Sequence, residues 1–368
     1  MKKVIFYLVF AISALAGQAQ DPAIVMTTAK SINSQFTFGI QAAAPNTPIQ
    51  IDWGNGVKEN FTIGNSLEFF NYPLKGNSVK IWGEGITNLN VASMELTALD
   101  VTRATSLTYL YIKTNKISTL DLSNCTALTY VDCSVNLLNS LNLPNTSTLV
   151  GVNCANNKLT FVTLPTKQPT WTSYTYSPQQ NFALPKQTYS TNEEIDLSSQ
   201  LNVDSQTTTY TWKTESGTTL VNGTDYNENG GKFTFLKTFL DSLYCEMTNA
   251  AFPDLILTTT KISIPQLPNV LMTTTSAVGS TFTFGIGATE SNTPIKVDWG
   301  NGVLASYTIG ENTTVSGTLA GSTIKIYGTG ISYLDLSEKK LTSLDVTNNN
   351  TLTKLYCSKN QLTTLDVS

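Results

Sequence analysis

The sequence predicts a mainly β protein in which two solenoid blocks of 21-residue repeats, each preceded by a small β cap unit, lie on either side of a β-sandwich. Three observations predict it. A stretch near the N-terminus recurs almost residue for residue 246 positions later; apolar residues after each copy return every 21 positions; and the segment between is a run of short alternating strands broken by turns. At 368 residues the chain exceeds the roughly 250 to 300 that one core holds, so several domains are expected. Charged residues make up 13% and the net charge is −4, which provides no basic field for nucleic acid or anionic lipid. Thr, Asn, Ser and Tyr fill the polar positions and favour strands and turns.

Residues 1–19 read as a secretory signal peptide: Lys2 and Lys3, an apolar run from Val4 to about Leu15, then Gly17 and Ala19, with cleavage expected after Ala19. The run is shorter than the roughly 20 apolar residues of a membrane span. The mature chain is therefore expected to be secreted, at the cell surface, without membrane insertion.

The cap units are placed at 20–78 and 269–323. "FTFGI", then "IQIDWGNG" or "IKVDWGNG", describes strands joined by hairpins, with Gly54 and Gly56 free to take positive φ and Trp53 packing on the strand pair. The alternative, calcium at Asp52 and Asp298, has one carboxylate where that ion wants six to eight oxygens.

The first solenoid block is placed at 79–165 and the second at 324–368. Slots repeat as Leu107, Leu128, Leu149; Leu110, Val131, Val152; Ile112, Cys133, Cys154; Ile117, Leu138, Leu159; and Leu120, Leu141, Val162, with Asn115, Asn136 and Asn157 in a polar slot. An earlier, worn coil starts at Ile86 and carries Met94 where the Asn should be. This period and pattern are those of leucine-rich repeats. The second block begins at Ile331 and stops two coils short of the first, and the expectation is a truncated chain lacking further coils.

The form LxxLxLxxNxLxxLDLxx in "LTYLYIKTNKISTLDLS" and "LTKLYCSKNQLTTLDVS" resembles the IRREKO class of bacterial leucine-rich repeats. The resemblance covers Ile86 to Leu164 and Ile331 to Ser368. It implies an exported bacterial surface protein with no catalytic residues, and a sorting or anchoring segment among the missing parts. "DWGNG" resembles the turn of PKD-type sandwich domains. Between the modules, at 166–268, "YTW" followed by "LYCEMTN" resembles an immunoglobulin-like sandwich, with Trp212 and Cys245 on its central strands. Leu197 stands where a disulfide partner would be, so packing must hold that domain together.

The sequence contains no histidine, which removes the commonest general base and transition-metal ligand. Glu193 and Glu194 are adjacent and point to opposite faces of a strand. The expectation is a non-enzymatic protein with no cofactor and no metal. The five cysteines cannot all pair, and Cys133, Cys154 and Cys357 fall in an inward slot where parallel side chains have poor disulfide geometry. They are expected to be reduced, buried hydrophobes. Asp100 and Asp121 should stack, as should Asp345 and Asp366, held by Thr and Asn donors from the next loop, with a weak cation site as the alternative.

With Leu110 and Ile112 inward, strand alternation turns Tyr109, Tyr111 and Lys113 outward, then Tyr130, Asp132 and Ser134, and in the second block Tyr333, Asp335, Lys354 and Tyr356. Tyr109, Tyr111, Lys113, Tyr130, Asp132, Tyr333 and Tyr356 are the candidate contact residues for a protein or surface glycan. The expected role is adhesion or recognition; the alternative is a stalk presenting an activity encoded beyond residue 368.

Overall fold

The computed structural model describes residues 21–365. The expected signal peptide at 1–19 and the ladder residue Asp366 lie outside the described residues. Among the described residues the only helical element is the 3-10 turn Ser198–Gln200; everything else is strand, turn or loop. The chain divides into two compact units, one running to Lys237 and including Asp241–Ser263, the other made of Thr238–Leu240 and the chain from Ile264.

In the first unit the cap strands are β1 (Ile24–Thr28), β2 (Gln35–Ala42), β3 (Thr47–Asp52), β4 (Glu59–Ile63), β5 (Glu68–Pro73) and β6 (Ser78–Trp82). The worn coil supplies β7 (Ile86–Asn90) and β8 (Leu96–Asp100). The following coils supply β9 (Tyr109–Tyr111), β10 (Thr119–Asp121), β11 (Tyr130–Asp132), β12 (Ser140–Asn142), β13 (Gly151–Asn153) and β14 (Ser173–Thr175). One sheet runs β4-β3-β6-β1-β8, and a second runs β14-β13-β11-β9-β7-β2-β5. Strand alternation buries Phe36, Phe38 and Ile40 on one face of β2, and Trp53 stacks on Tyr72 at 4.7 Å between ring centres.

The cap and the solenoid are not separate bodies. β7 pairs antiparallel with β2 on one side and parallel with β9 on the other, so the cap sheet passes directly into the parallel sheet of the coils. β8 likewise pairs with β1. The boundary expected at 78/79 falls inside β6, and that at 323/324 falls inside a strand of the second unit, Thr323–Gly328.

The inward slots are buried as their period predicts: Leu110, Val131 and Val152, and Ile112, Cys133 and Cys154, are all at most 1% exposed. Val162 is the exception, 49% exposed in a turn, and Phe161 and Leu164 fill the core there instead. The Asn slot is an internal hydrogen-bond ladder. Asn136 donates through Nδ2 to the carbonyls of Ile112 (3.0 Å) and Cys133 (3.1 Å), and its Oδ1 accepts from the Ile117 amide at 3.1 Å. Asn157 does the same one coil on, satisfying backbone groups that the tight inner turn leaves unpaired. The worn coil needs no Asn of its own: Thr28 Oγ1 donates to the Met94 carbonyl at 2.7 Å, and Asn115 Oδ1 accepts from the amides of Met94 and Leu96.

The solenoid extends past its expected end at 165. β14 pairs parallel with β13, placing Tyr174 in the slot of Val152, and Gln179 takes over the ladder. Gln179 Oε1 accepts from the Asn157 and Leu159 amides, and its Nε2 donates to the carbonyls of Cys154 and Tyr176. Trp171, Tyr174 and Tyr176 form a ring cluster that continues into Phe252, sealing the last coil.

The segment that follows contributes β15 (Glu194–Asp196), β16 (Asn202–Val203), β17 (Gln206–Thr207), β18 (Thr209–Thr214), β19 (Tyr226–Asn229), β20 (Lys232–Phe235), β21 (Leu243–Thr248) and β22 (Ile256–Thr258). Two three-stranded sheets, β15-β20-β19 and β18-β21-β22, pack through Trp212, whose ring meets Phe233 and Phe235 edge-on at 5.6 and 5.0 Å. Trp212 is directly paired with Cys245, and both are fully buried, as is Leu197.

The second unit repeats the cap and first coils as β23 (Val270–Thr274), β24 (Thr281–Ala288), β25 (Thr293–Asp298), β26 (Leu304–Ile309), β27 (Thr313–Thr318), β28 (Thr323–Gly328), β29 (Ile331–Asp335), β30 (Leu341–Asp345) and β31 (Lys354–Tyr356). Its sheets run β26-β25-β28-β23-β30 and β27-β24-β29-β31 around one shared core.

Candidate recognition surface

The parallel sheet of the first unit presents two outward columns. Backbone register aligns Asn88, Tyr109, Tyr130, Gly151 and Ser173 in one, and Asn90, Tyr111, Asp132, Asn153 and Thr175 in the other. The sequence-predicted residues Tyr109, Tyr111, Tyr130 and Asp132 thus meet on two adjacent strands, with Lys113 exposed just beyond β9. Tyr111 and Tyr130 lie diagonally across the strand pair with ring centres 5.5 Å apart. Tyr109 is 43% exposed, and the other two are half-buried. Burial raises the Tyr111 and Tyr130 phenols above their ordinary range, with the neighbouring Tyr109, Tyr111 and Asp132 groups adding to it. They remain neutral donors through the physiological range.

Gly151 belongs to this surface. A Cβ there would lie 2.5 Å from Tyr130 Cδ2, so the bare backbone of β13 is the bed on which the Tyr130 ring rests. Ser134, expected outward, is instead buried, and it donates through its amide and Oγ to Asp132 Oδ1. Asp132 is thereby fixed at the rim of the tyrosines.

The acidic motifs resolve into turn chemistry. Asp52 Oδ1 accepts from the amides of Gly54, Asn55 and Gly56 at 2.8 to 3.0 Å, and Asp298 repeats this with Gly300, Asn301 and Gly302. Gly54 and Gly56 hold φ of 110° and 79° in that turn. Asp100, Asp121 and Asp345 each accept from the amide two residues on, Thr102, Ser123 and Thr347, at 3.0 Å. These are turn-stabilising bonds from the loop that follows each strand, as expected, with Thr102 and Thr347 also donating through Oγ1 at 2.7 Å; each carboxylate closes its own Asx turn. Among the described residues no group of three or more His, Cys, Asp or Glu side chains converges on a common point.

The cysteines are all free; Cys125, Cys133, Cys154 and Cys245 are buried, and Cys357 is partly so. Burial pushes the Cys154 and Cys245 thiols up to about 12 and that of Cys125 to about 11, and raises Cys133 well above its ordinary value. These are packing groups without nucleophilic character.

In the second unit Tyr333 is paired with Lys354 and Asp335 with Tyr356, and the Tyr333 and Tyr356 rings meet edge to face at 5.9 Å. Tyr356 is 53% exposed. The candidate residues thus form two clusters, one in each unit.

No protein-family model matches the sequence, nor does any curated protein. Among solved structures, the functional domain of InlJ from Listeria monocytogenes, described as including a cysteine ladder, aligns at 15% identity and a TM-score of 0.18. That alignment takes in 49% of this chain and 62% of the other, so this chain spans less than two thirds of that protein's described length. A superposition this loose carries no inference about fold or function.

Proposed function

We propose that this chain is an exported, non-enzymatic recognition protein whose parallel sheet grips a protein or glycan partner. The observation that carries the reading is the cluster of Tyr109, Tyr111 and Tyr130 on an open sheet face, part-exposed, mutually packed and rimmed by Lys113 and Asp132. Tyrosine offers a large apolar ring and a polar tip at low conformational cost, the combination that recognition surfaces favour. Export is supported by the N-terminal charge and apolar pattern. The IRREKO-like repeat form, the PKD-like turn and the immunoglobulin-like sandwich suit a bacterial surface protein in which sandwich domains hold the coils as caps and spacers.

Replacing Tyr109, Tyr111 and Tyr130 together by Ala should leave the fold intact, because the core slots of β9 and β11 are held by Leu110 and Val131. Binding to cells or to a glycan array should fall by more than tenfold, as truncation of central aromatics commonly costs about 2 kcal/mol each. Unchanged binding by a folded triple variant would reject the reading and favour the structural stalk.

A further inference from the structure

We infer that the second unit carries its own binding groove for a neutral saccharide, built by divergence of the duplicated module. This deepens the recognition reading and rests on it only in assigning binding, not chemistry, to the coil face. The groove has a volume of about 530 Å³ and is lined by Tyr333, Tyr356, Asp335, Lys354, Glu311 and Asn312. That size lies in the range of about 300 to 1,000 Å³ used for small ligands.

The two modules differ at the positions that make the groove. In the first, Leu67 and Phe69 lie over Gly39, where an added Cβ would meet their side chains at 3.0 to 3.2 Å, so the face is covered by apolar groups. In the second, Asn312 and Thr314 stand at the corresponding points of the shorter loop, and the bare backbone of Gly285 faces Asp335 and the Tyr333 ring instead. The first module has Gln41, whose Nε2 donates to the Asn65 carbonyl at 2.9 Å; the second has Gly287. A Cβ at Gly287 would lie 2.0 Å from the Glu311 carbonyl oxygen, so glycine there lets the turn carrying Glu311 and Asn312 close down on the sheet and form a wall. Tyr333 replaces Asn88, Asp335 replaces Asn90, and Lys354 replaces Tyr109.

The resulting chemistry selects a saccharide. Tyr333 and Tyr356, inclined at 62°, offer two ring surfaces meeting at a corner, which suits the C–H faces of a pyranose. Asp335 and Glu311 accept hydrogen bonds from hydroxyls, Lys354 donates, and Asn312 does both. Asp335 is oriented by the Ser337 amide at 3.0 Å. Two carboxylates against one ammonium leave the groove slightly anionic, which opposes an acidic glycan or a phosphate and leaves neutral sugars.

The test is to screen the purified chain by saturation-transfer NMR against neutral oligosaccharides of glucose, galactose, mannose, xylose and N-acetylglucosamine, and to titrate those that respond. At least one class should bind, at least tenfold more weakly to Tyr356→Ala and to Asp335→Asn, and unchanged to the Tyr109, Tyr111 and Tyr130 triple variant. Tyr356 is exposed and Asn can accept the same Ser337 bond, so both variants should keep the wild-type melting temperature. No saturation transfer from any neutral oligosaccharide, binding of acidic sugars or a protein only, or binding that survives both substitutions overturns the groove. Saccharide binding abolished only by the triple variant also overturns it, while leaving the recognition reading of the first unit standing.

Discussion

Val135 holds φ of +56°, a left-handed conformation that a β-branched side chain adopts only under strain. Each coil places such a residue directly before its ladder Asn: Thr114 at 59°, Val135 at 56° and Asn156 at 56°. Asn tolerates this region because its short polar side chain bonds locally. Val135→Asn should therefore stabilise the first unit by about 1 kcal/mol, measured by urea denaturation; an unchanged midpoint would mean the turn is not strained. The buried thiols predict a pH dependence. A raised folded-state value means the folded protein holds its protons longer, so this stability is complete below the ordinary thiol value of 9 and is lost as pH rises towards 11 or 12. Melting temperature should decline over that interval, and Cys154→Val should flatten part of the decline; an identical slope in the variant would assign it to other groups. The inward slots were legible because each recurs at a fixed spacing, whereas nothing about Thr114 or Val135 as residue types announces a left-handed turn. Val162 was misplaced because its coil abandons the second strand for a turn and buries Phe161 instead.

At the scale of elements, the terminal rung is the part the sequence concealed. Its step is 22 residues instead of 21, from Gly151 to Ser173, and every slot changes type: Leu149 gives way to Trp171, Val152 to Tyr174 and Asn157 to Gln179. Only the alternation in "TSYTYS" pointed to a strand. Physically, Gln179 serves with a side chain one methylene longer the same kind of backbone groups that Asn serves elsewhere, and large rings close an edge that small aliphatics would leave open. Gln179→Ala should leave the Asn157 and Leu159 amides without their partner and cost about 1 to 3 kcal/mol. Gln179→Asn should rescue little of it, because Asn is one methylene too short for this step. Hydrogen exchange at Asn157 and Leu159 would read the effect directly, and full rescue by Asn would refute the reach argument.

At the scale of the molecule, the duplication, the repeat period and the sandwich between them were legible, but the joints were not. The cap strands alternate like any hairpin, and no residue in "SVKIW" tells that β6 is the middle of a five-stranded sheet completed by a coil strand 14 residues later. The outward tyrosines were legible from alternation alone, whereas the groove of the second unit depends on Gly287 and the 311–312 turn meeting across space, which spacing does not encode.

The ladder that joins one coil to the next has a bearing on copy number. Asn136 and Asn157 make the same bonds to the coil before them, so every interior joint is interchangeable, while the cap and the Gln179 rung are matched only to the ends. Unequal recombination between repeats can thus drop or add a coil without rewriting either terminus. Deleting residues 128–148, which joins Ala127 to Leu149, should give a folded protein with Asn157 bonded to the Ile112 carbonyl. Circular dichroism and a single sharp melting transition would confirm it, and aggregation would show that the coils are not equivalent. The shortened chain would lose about 4.8 Å of reach and Tyr130 from its outward column, making length and surface composition quantities that a lineage can vary in steps of one coil.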